Sequence, residues 1–131
     1  MILIDTSAWI EFLRDTGSPA CDEVDRLLAE DIAICDAIHM EILAGARDDV
    51  HLRQLRGLLA RATVLPTLAV DYESAAALYR SCRRRGETVR KLIDCLIAAT
   101  AIRQDVAVLH ADADFDALAR HTALPVHEAT P

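Results

Sequence analysis

Met1-Ile2-Leu3-Ile4-Asp5-Thr6-Ser7-Ala8-Trp9 opens the chain, and its reading decides the architecture. Ile2, Leu3 and Ile4 are apolar at consecutive positions, so a strand built from them must be covered on both faces. Asp5-Thr6-Ser7 follows, and each of these side chains can accept a backbone N–H and start a helix. The spacing then predicts a helix over residues 8–14, with Trp9, Ile10, Phe12 and Leu13 on a broad apolar face. A doubly buried strand running straight into a helix is the unit of a parallel sheet.

Moving outward, the same unit recurs. Gly17-Ser18-Pro19 breaks the first helix. Ser18 as N-cap and Pro19 at the first helical position start a second helix, expected to reach about Glu30. Ile32-Ala33-Ile34-Cys35 reads as a second buried strand, with Asp36 as the cap of a helix over 37–46. Leu52, Leu55, Leu58 and Leu59 mark a helix over 48–61. Thr63-Val64-Leu65 is a third strand, stopped by Pro66. A long helix over 70–85 ends at Gly86, a residue suited to the position after a helix. The most apolar helix is expected over 92–103, a fourth strand over 106–109, a helix over 114–121 and a last short strand at Pro125-Val126-His127. Short apolar strands alternating with helices predict an α/β fold, a mostly parallel sheet with helices on both faces. No linker or repeat divides the chain, so residues 1–131 are expected to form a single domain.

Composition narrows the function classes. Hydrophobic residues make up 53% of the chain, enough for a core and too many for disorder. The longest largely apolar run, over 95–102 with Thr100 inside it, is eight residues, far short of the ~18 of a membrane span. No basic segment followed by an apolar one opens the chain, so a cytoplasmic protein without membrane attachment is expected. Cys21, Cys35, Cys82 and Cys95 lack the close pairing of zinc sites and are read as small packed thiols. The net charge of −7 argues against a general nucleic-acid coat. The charge is uneven, however: the segment from Arg80 to Lys91 holds six basic residues against one acidic residue, Glu87. Such a segment can steer a polyanion locally. Aromatic residues are only 4%, which disfavours modules that stack on exposed bases.

Four acidic residues stand out against this background. Ligands of an open parallel sheet bind beyond the carboxyl ends of its strands. Asp5 ends the first strand and Asp112 closely follows the fourth. Each alone could simply cap a helix. Glu41 shares its helical stripe with Ala37, Ile38, Ala44 and Gly45, where a carboxylate is costly unless paired or metal-bound. Its bland alternative is a pair with Arg47 or access to water. Asp94 opens a helix that is apolar nearly all round, where pairing with Arg90 or Lys91 is the plain alternative. If the four converge, two carboxylates 4 Å apart repel by about 4 kcal/mol at an effective dielectric near 20. Hard divalent ions such as Mg²⁺ or Mn²⁺ are the natural remedy.

The opening stretch, the Glu41 helix, the Asp94 helix and Leu109-His110-Ala111-Asp112-Ala113-Asp114-Phe115-Asp116 resemble, in order, the four motifs of PIN-domain ribonucleases. The resemblance covers essentially the whole chain and is closest to the VapC toxins of toxin–antitoxin pairs. It implies an α/β/α sandwich, Mg²⁺-dependent cutting of RNA by metal-activated water, a homodimer and inhibition by a VapB-type antitoxin. It also implies that Asp5, Asp94 and Asp112 ligate the metal and that Glu41 completes the site, in part through water. Thr6 or Ser7 would hydrogen-bond nearby. Asp114 competes with Asp112 for the fourth position, and Asp116 is expected to be an exposed helix residue. Arg83, Arg84, Arg85 and Arg90 are candidates for gripping RNA phosphates, with Lys91 beside them. His110 is read as solvated or capping. Trp9 and Phe12 are expected in the core, the alternative being a groove for the antitoxin. Two other classes remain. A phosphatase or phospho-acceptor domain would want a second acid near Asp5 and a suitably placed lysine; a non-catalytic PIN-like binding module would have no need of the acidic set.

Overall fold

β1 (Ile2–Ile4) forms where expected, because its three residues have no polar side chain to leave in water and only a sheet interior satisfies both of its faces. A computed structural model describes residues 1–129. After β1 come α1 (Thr6–Leu13), α2 (Pro19–Leu27), β2 (Ile32–Cys35), α3 (Asp36–Ala44), α4 (Asp49–Leu59) and β3 (Thr63–Leu65). α5 (Ala69–Arg84), α6 (Leu92–Gln104), β4 (Ala107–Leu109) and α7 (Ala113–His121) complete the order.

The sheet runs β3-β2-β1-β4 with every neighbouring pair parallel. β1 is central: Leu3 lies opposite Ala33 of β2 and Val108 of β4. The chain winds outward from β1 through β2 to β3, then returns to place β4 on the other side of β1. The reversal opens a crevice between β1 and β4 at their carboxyl ends, the usual ligand site of such sheets. Leu3, Ile4, Ile32, Ile34, Val108 and Leu109 are buried, and helices cover both faces in an α/β/α sandwich. Trp9 and Phe115 are the largest fully buried side chains, and Phe12 packs edge-on against Trp9.

Local signals account for most helix ends. Ser18 Oγ accepts the Cys21 N–H at 3.1 Å, with Pro19 in the first turn of α2. At the end of α5, Gly86 takes a φ of +86°. The Glu87 N–H bonds Cys82 O at 3.0 Å and the Gly86 N–H bonds Arg83 O at 3.1 Å, a Schellman ending.

Most helix boundaries shift by one to three residues from expectation, and three details stand out. Asp36 is the first residue of α3 and not its cap; Cys35 holds that position without a side-chain bond, and Asp36 gains from the helix dipole. α2 stops at Leu27, three residues early. The segment at Pro125-Val126-His127 is a single parallel bridge, Val108 to Val126, with one bond on each side, because Pro125 has no N–H to extend a ladder. The four cysteines are free and buried, as read from their spacing.

Candidate metal centre

Each acid reaches the crevice for a local reason. Asp5 caps α1: its Oδ2 accepts the Ser7 N–H at 2.9 Å and the Ser7 hydroxyl at 2.6 Å. The Ser7 oxygen in turn accepts the Ala111 N–H at 2.9 Å, tying the end of β1 to the loop after β4. Asp5 Oδ1 is buried with no hydrogen-bond partner among the described residues. Burial pushes the Asp5 carboxyl up from its ordinary value, the Glu41 charge adds to the rise, and the Ser7 bonds oppose it.

Asp94 enters from the first turn of α6. It is buried, and its Oδ2 also lacks a hydrogen-bond partner among the described residues. Burial, then the Asp5 charge, push its carboxyl up to about 8, against a smaller opposing pull from Lys91. Asp112 caps α7, its Oδ1 accepting the Asp114 N–H at 2.9 Å. Lys91 Nζ lies 2.7 Å from Asp112 Oδ2 and 3.7 Å from Asp94 Oδ2. For Asp112, burial pushes upward, but the Lys91 bond, the Asp114 N–H and Arg90 outweigh it and hold the carboxyl below its ordinary value.

Asp94, Asp112 and Asp114 each offer a carboxylate oxygen, and these oxygens lie within 4.8 Å of one another. The three are nonetheless unequal. Asp114 Oδ1 accepts the Arg90 backbone N–H and Oδ2 the Lys91 backbone N–H, both at 3.1 Å. Asp114 therefore fastens α7 to the chain entering α6 and so helps to set Asp94 in place. Asp112 Oδ1 accepts the Asp114 N–H and meets the exposed Arg90, while its Oδ2 is met by the half-exposed Lys91 side chain. Glu41 is half-buried on α3, and its Oε1 accepts the Thr6 hydroxyl at 2.8 Å. Sequence reasoning offered Glu41 only Arg47 as a partner; the structure provides Thr6, from a helix 35 residues away.

These residues fit a hard cation. The donors are all oxygens, two of the buried ones are orphaned, and a lysine ammonium already sits among them as a positive charge. Orphaned buried carboxylate oxygens are expensive and require a reason.

The basic candidates separate. Arg90 reaches the site, with Nη2 3.3 Å from Asp112 Oδ1, while 71% of its side chain stays exposed. Arg83 lies over the Tyr79 ring, Arg84 meets Ser81 and Arg85 follows the last turn of α5; none of them bonds the acidic cluster. Glu87 is bound by Arg120 and His121 of α7, which fixes the loop between α5 and α6. The His110 ring packs against Phe115, and its Nδ1 accepts the Asp112 N–H at 3.2 Å, a capping role. Asp116 is exposed, as expected. Two buried acids went unnoticed in the sequence, Glu23 and Asp71. Glu23 pairs with Arg26 and His127, and Asp71 with Arg103 and Thr100.

A parallel sheet with clustered carboxylates at its carboxyl edge matches the family model for the PIN domain over residues 2–121, and the chain belongs to that family of metal-dependent nucleases. Among curated relatives it is 53% identical to VapC ribonuclease Mb1587 of Mycobacterium bovis and to ribonuclease VapC11 of Mycobacterium tuberculosis, over 95% of this chain and 96% of each relative. Within the PIN domains, then, it belongs with the VapC ribonucleases. Two solved structures share the fold with a TM-score of 0.77. One is VapBC-1 from nontypeable Haemophilus influenzae, 17% identical and covering all of both chains. The other is FitAB bound to a DNA fragment, 23% identical over 97% of this chain and 94% of that one.

Proposed function

We propose that this protein is the toxin of a toxin–antitoxin pair, an endoribonuclease that uses Mg²⁺ or Mn²⁺ held by Asp5, Asp94 and Asp112. The carrying observation is the pair of orphaned oxygens, Asp5 Oδ1 and Asp94 Oδ2, buried beside Asp112 at the sheet edge. The curated relatives named as ribonucleases support the activity, and the neighbours solved as VapBC complexes support a VapB-type antitoxin as partner. The wider reading is a single domain working as a homodimer in the cytoplasm.

A bound divalent ion supplies Lewis acidity, making a water nucleophilic at neutral pH and neutralising charge that develops on the phosphodiester. The chain's own groups do the rest. Asp94 is held rigidly by α6 and by Asp114's grip on the Arg90 and Lys91 amides. Asp5 is fixed through Ser7, so its free oxygen keeps one direction. Glu41, with one oxygen held by Thr6, has the other left to orient a water. Arg90, largely exposed beside Asp112, is placed to meet an RNA phosphate. Arg83, Arg84 and Arg85 lie farther along the same basic stretch and serve the flanking strand through longer-range attraction. Asp112 is assigned as the ligand and Asp114 as its positioning neighbour, because both Asp114 oxygens are bound to backbone amides.

The test is to incubate total RNA with purified protein and Mg²⁺ or Mn²⁺, beside an Asp94→Asn variant, and to map the cut ends. Wild type cuts internally and leaves 5′-phosphates, while the variant is inert. Equal cutting by both would sink the assignment, and no cutting across a broad RNA panel would favour a binding module.

A further inference from the structure

Lys91 is the one lysine of the chain, and its role is not explained by catalysis as described above. Its ammonium contacts two carboxylates at once, Asp112 Oδ2 at 2.7 Å and Asp94 Oδ2 at 3.7 Å. It reaches them from the rim, with 51% of its side chain exposed. Arg90, the other nearby cation, takes different oxygens, Asp112 Oδ1 and Asp114 Oδ1. Lys91 thus faces the orphaned Asp94 Oδ2, an oxygen open to a divalent ion, whereas the Arg90 contacts are with Asp112 and Asp114. One ammonium is also an incomplete answer to the cluster. Asp94 Oδ2 makes no hydrogen bond even with Lys91 near, and Asp5 Oδ1 has no partner among the described residues.

We propose that Lys91 is a tethered competitor of the divalent ion, covering the Asp94–Asp112 edge while the site is empty and releasing it when the ion enters. This rests on the reading of the cluster as a metal site. The ion-free chain is then spared bare repulsion among its carboxylates, and its affinity for the ion is lower than the carboxylates alone would give. The release is local. The Lys91 backbone N–H stays fastened to Asp114 Oδ2, so only the flexible stem swings. The freed ammonium, a compact charge with three donors, remains at the rim and becomes a ligand for an RNA phosphate next to the bond being cut.

Calorimetric titration of the ion-stripped whole chain with Mn²⁺ tests this, comparing wild type with Asp94→Asn, Lys91→Met, Lys91→Arg and Arg90→Met. Lys91→Met is expected to bind Mn²⁺ at least about tenfold more tightly than wild type, with a lower Tm that the ion restores. Lys91→Arg keeps the competing charge and stays near wild type, and Arg90→Met changes the affinity by less than about threefold. If Lys91→Met does not fold without the ion, it is prepared loaded, and its Mn²⁺ affinity is read by competition with a chelator. An unchanged or weaker affinity in Lys91→Met overturns the proposal. Equal tightening in Arg90→Met also overturns it, by reducing the effect to diffuse charge. Failure of wild type to bind Mn²⁺, or equal binding by Asp94→Asn, would bring down the metal reading itself and this inference with it.

Discussion

The two ends of α6 carry buried aspartates in opposite circumstances. At its C-terminal end Asp71, from α5, receives Arg103 Nε at 2.8 Å, Arg103 Nη2 at 2.9 Å, the Thr100 hydroxyl and the Leu68 N–H. Its charge is fully answered. The Arg103 bond, ahead of the opposing effect of burial, holds its carboxyl below the ordinary value. At the N-terminal end Asp94 has a buried oxygen with no hydrogen bond and a carboxyl pushed up to about 8. Burial alone does not separate a structural acid from a functional one. The separation lies in whether the protein itself completes the acid's bonding. Asp71 is finished within the chain, whereas Asp94 keeps a buried oxygen that no described residue bonds.

The contrast is sharpest in cleavage. Asp94→Asn should lower the rate of RNA cutting by about a thousandfold, roughly 4 kcal/mol in the barrier. Asp71→Asn should leave cutting per folded molecule unchanged in gel-based rate measurements. A large rate loss in Asp71→Asn, with folding intact, would erase the distinction.

Stability should show the reverse. Asp71→Asn is expected to cost about 3 kcal/mol in urea unfolding at neutral pH. That is the low end for a broken buried pair, since Arg103 keeps 27% of its side chain in water. The two sites also have opposite pH dependence. Asp71 has a lowered carboxyl pKa in the folded state, so its stabilisation is present above the unfolded value near 3.8 and fades as pH falls below it. Asp94 has a raised one, so its contribution is most favourable below about 3.8 and is lost as pH rises through about 8. With a chelator present, Asp94→Asn should therefore melt higher than wild type at pH 8, and the gap should close toward pH 4. A gap independent of pH would mean that Asp94 is not strained in the ion-free chain.

Smaller effects divide the neighbours of Asp94. Asp112→Asn should cut activity by about a hundredfold, and Asp114→Asn by about tenfold with a loss of about 1–2 kcal/mol in stability. The reverse order would exchange their assigned roles. Smallest of all, Thr6→Val frees Glu41 and should slow cutting by about threefold to tenfold with KM unchanged.

How much of this was legible beforehand follows from range. The β1 strand, the Ser18-Pro19 start of α2 and the Gly86 stop of α5 are written within a few residues, and local physics reads them directly. Asp5, Glu41, Asp94 and Asp112 stood out as candidates, through polar residues set at strand ends or in apolar stripes and through the order of their motifs, whereas the carboxylate oxygens that lie within 4.8 Å of one another are those of Asp94, Asp112 and Asp114. The pairing of Asp71 with Arg103 spans 32 residues and depends on how α5 packs against α6, which no local pattern encodes. Asp112 and Asp114 are alike in sequence, and only the direction of each oxygen tells them apart. Lys91 was visible as one charge in a basic run. That it turns into the acids while Arg83, Arg84 and Arg85 remain outside the cluster follows from where α6 begins.

The link from Ser7 to Ala111, 104 residues apart, has a consequence for synthesis. The central strand is made well before its neighbour β4 and the loop bearing Asp112, with six helices and two strands between them. A chain still emerging from the ribosome can fold its early helices, but its blade is incomplete until the last strand and helix are delivered. Asp112 cannot come to lie beside Asp94 before β4 and the start of α7 are in place, so the acidic cluster assembles only once both have been made.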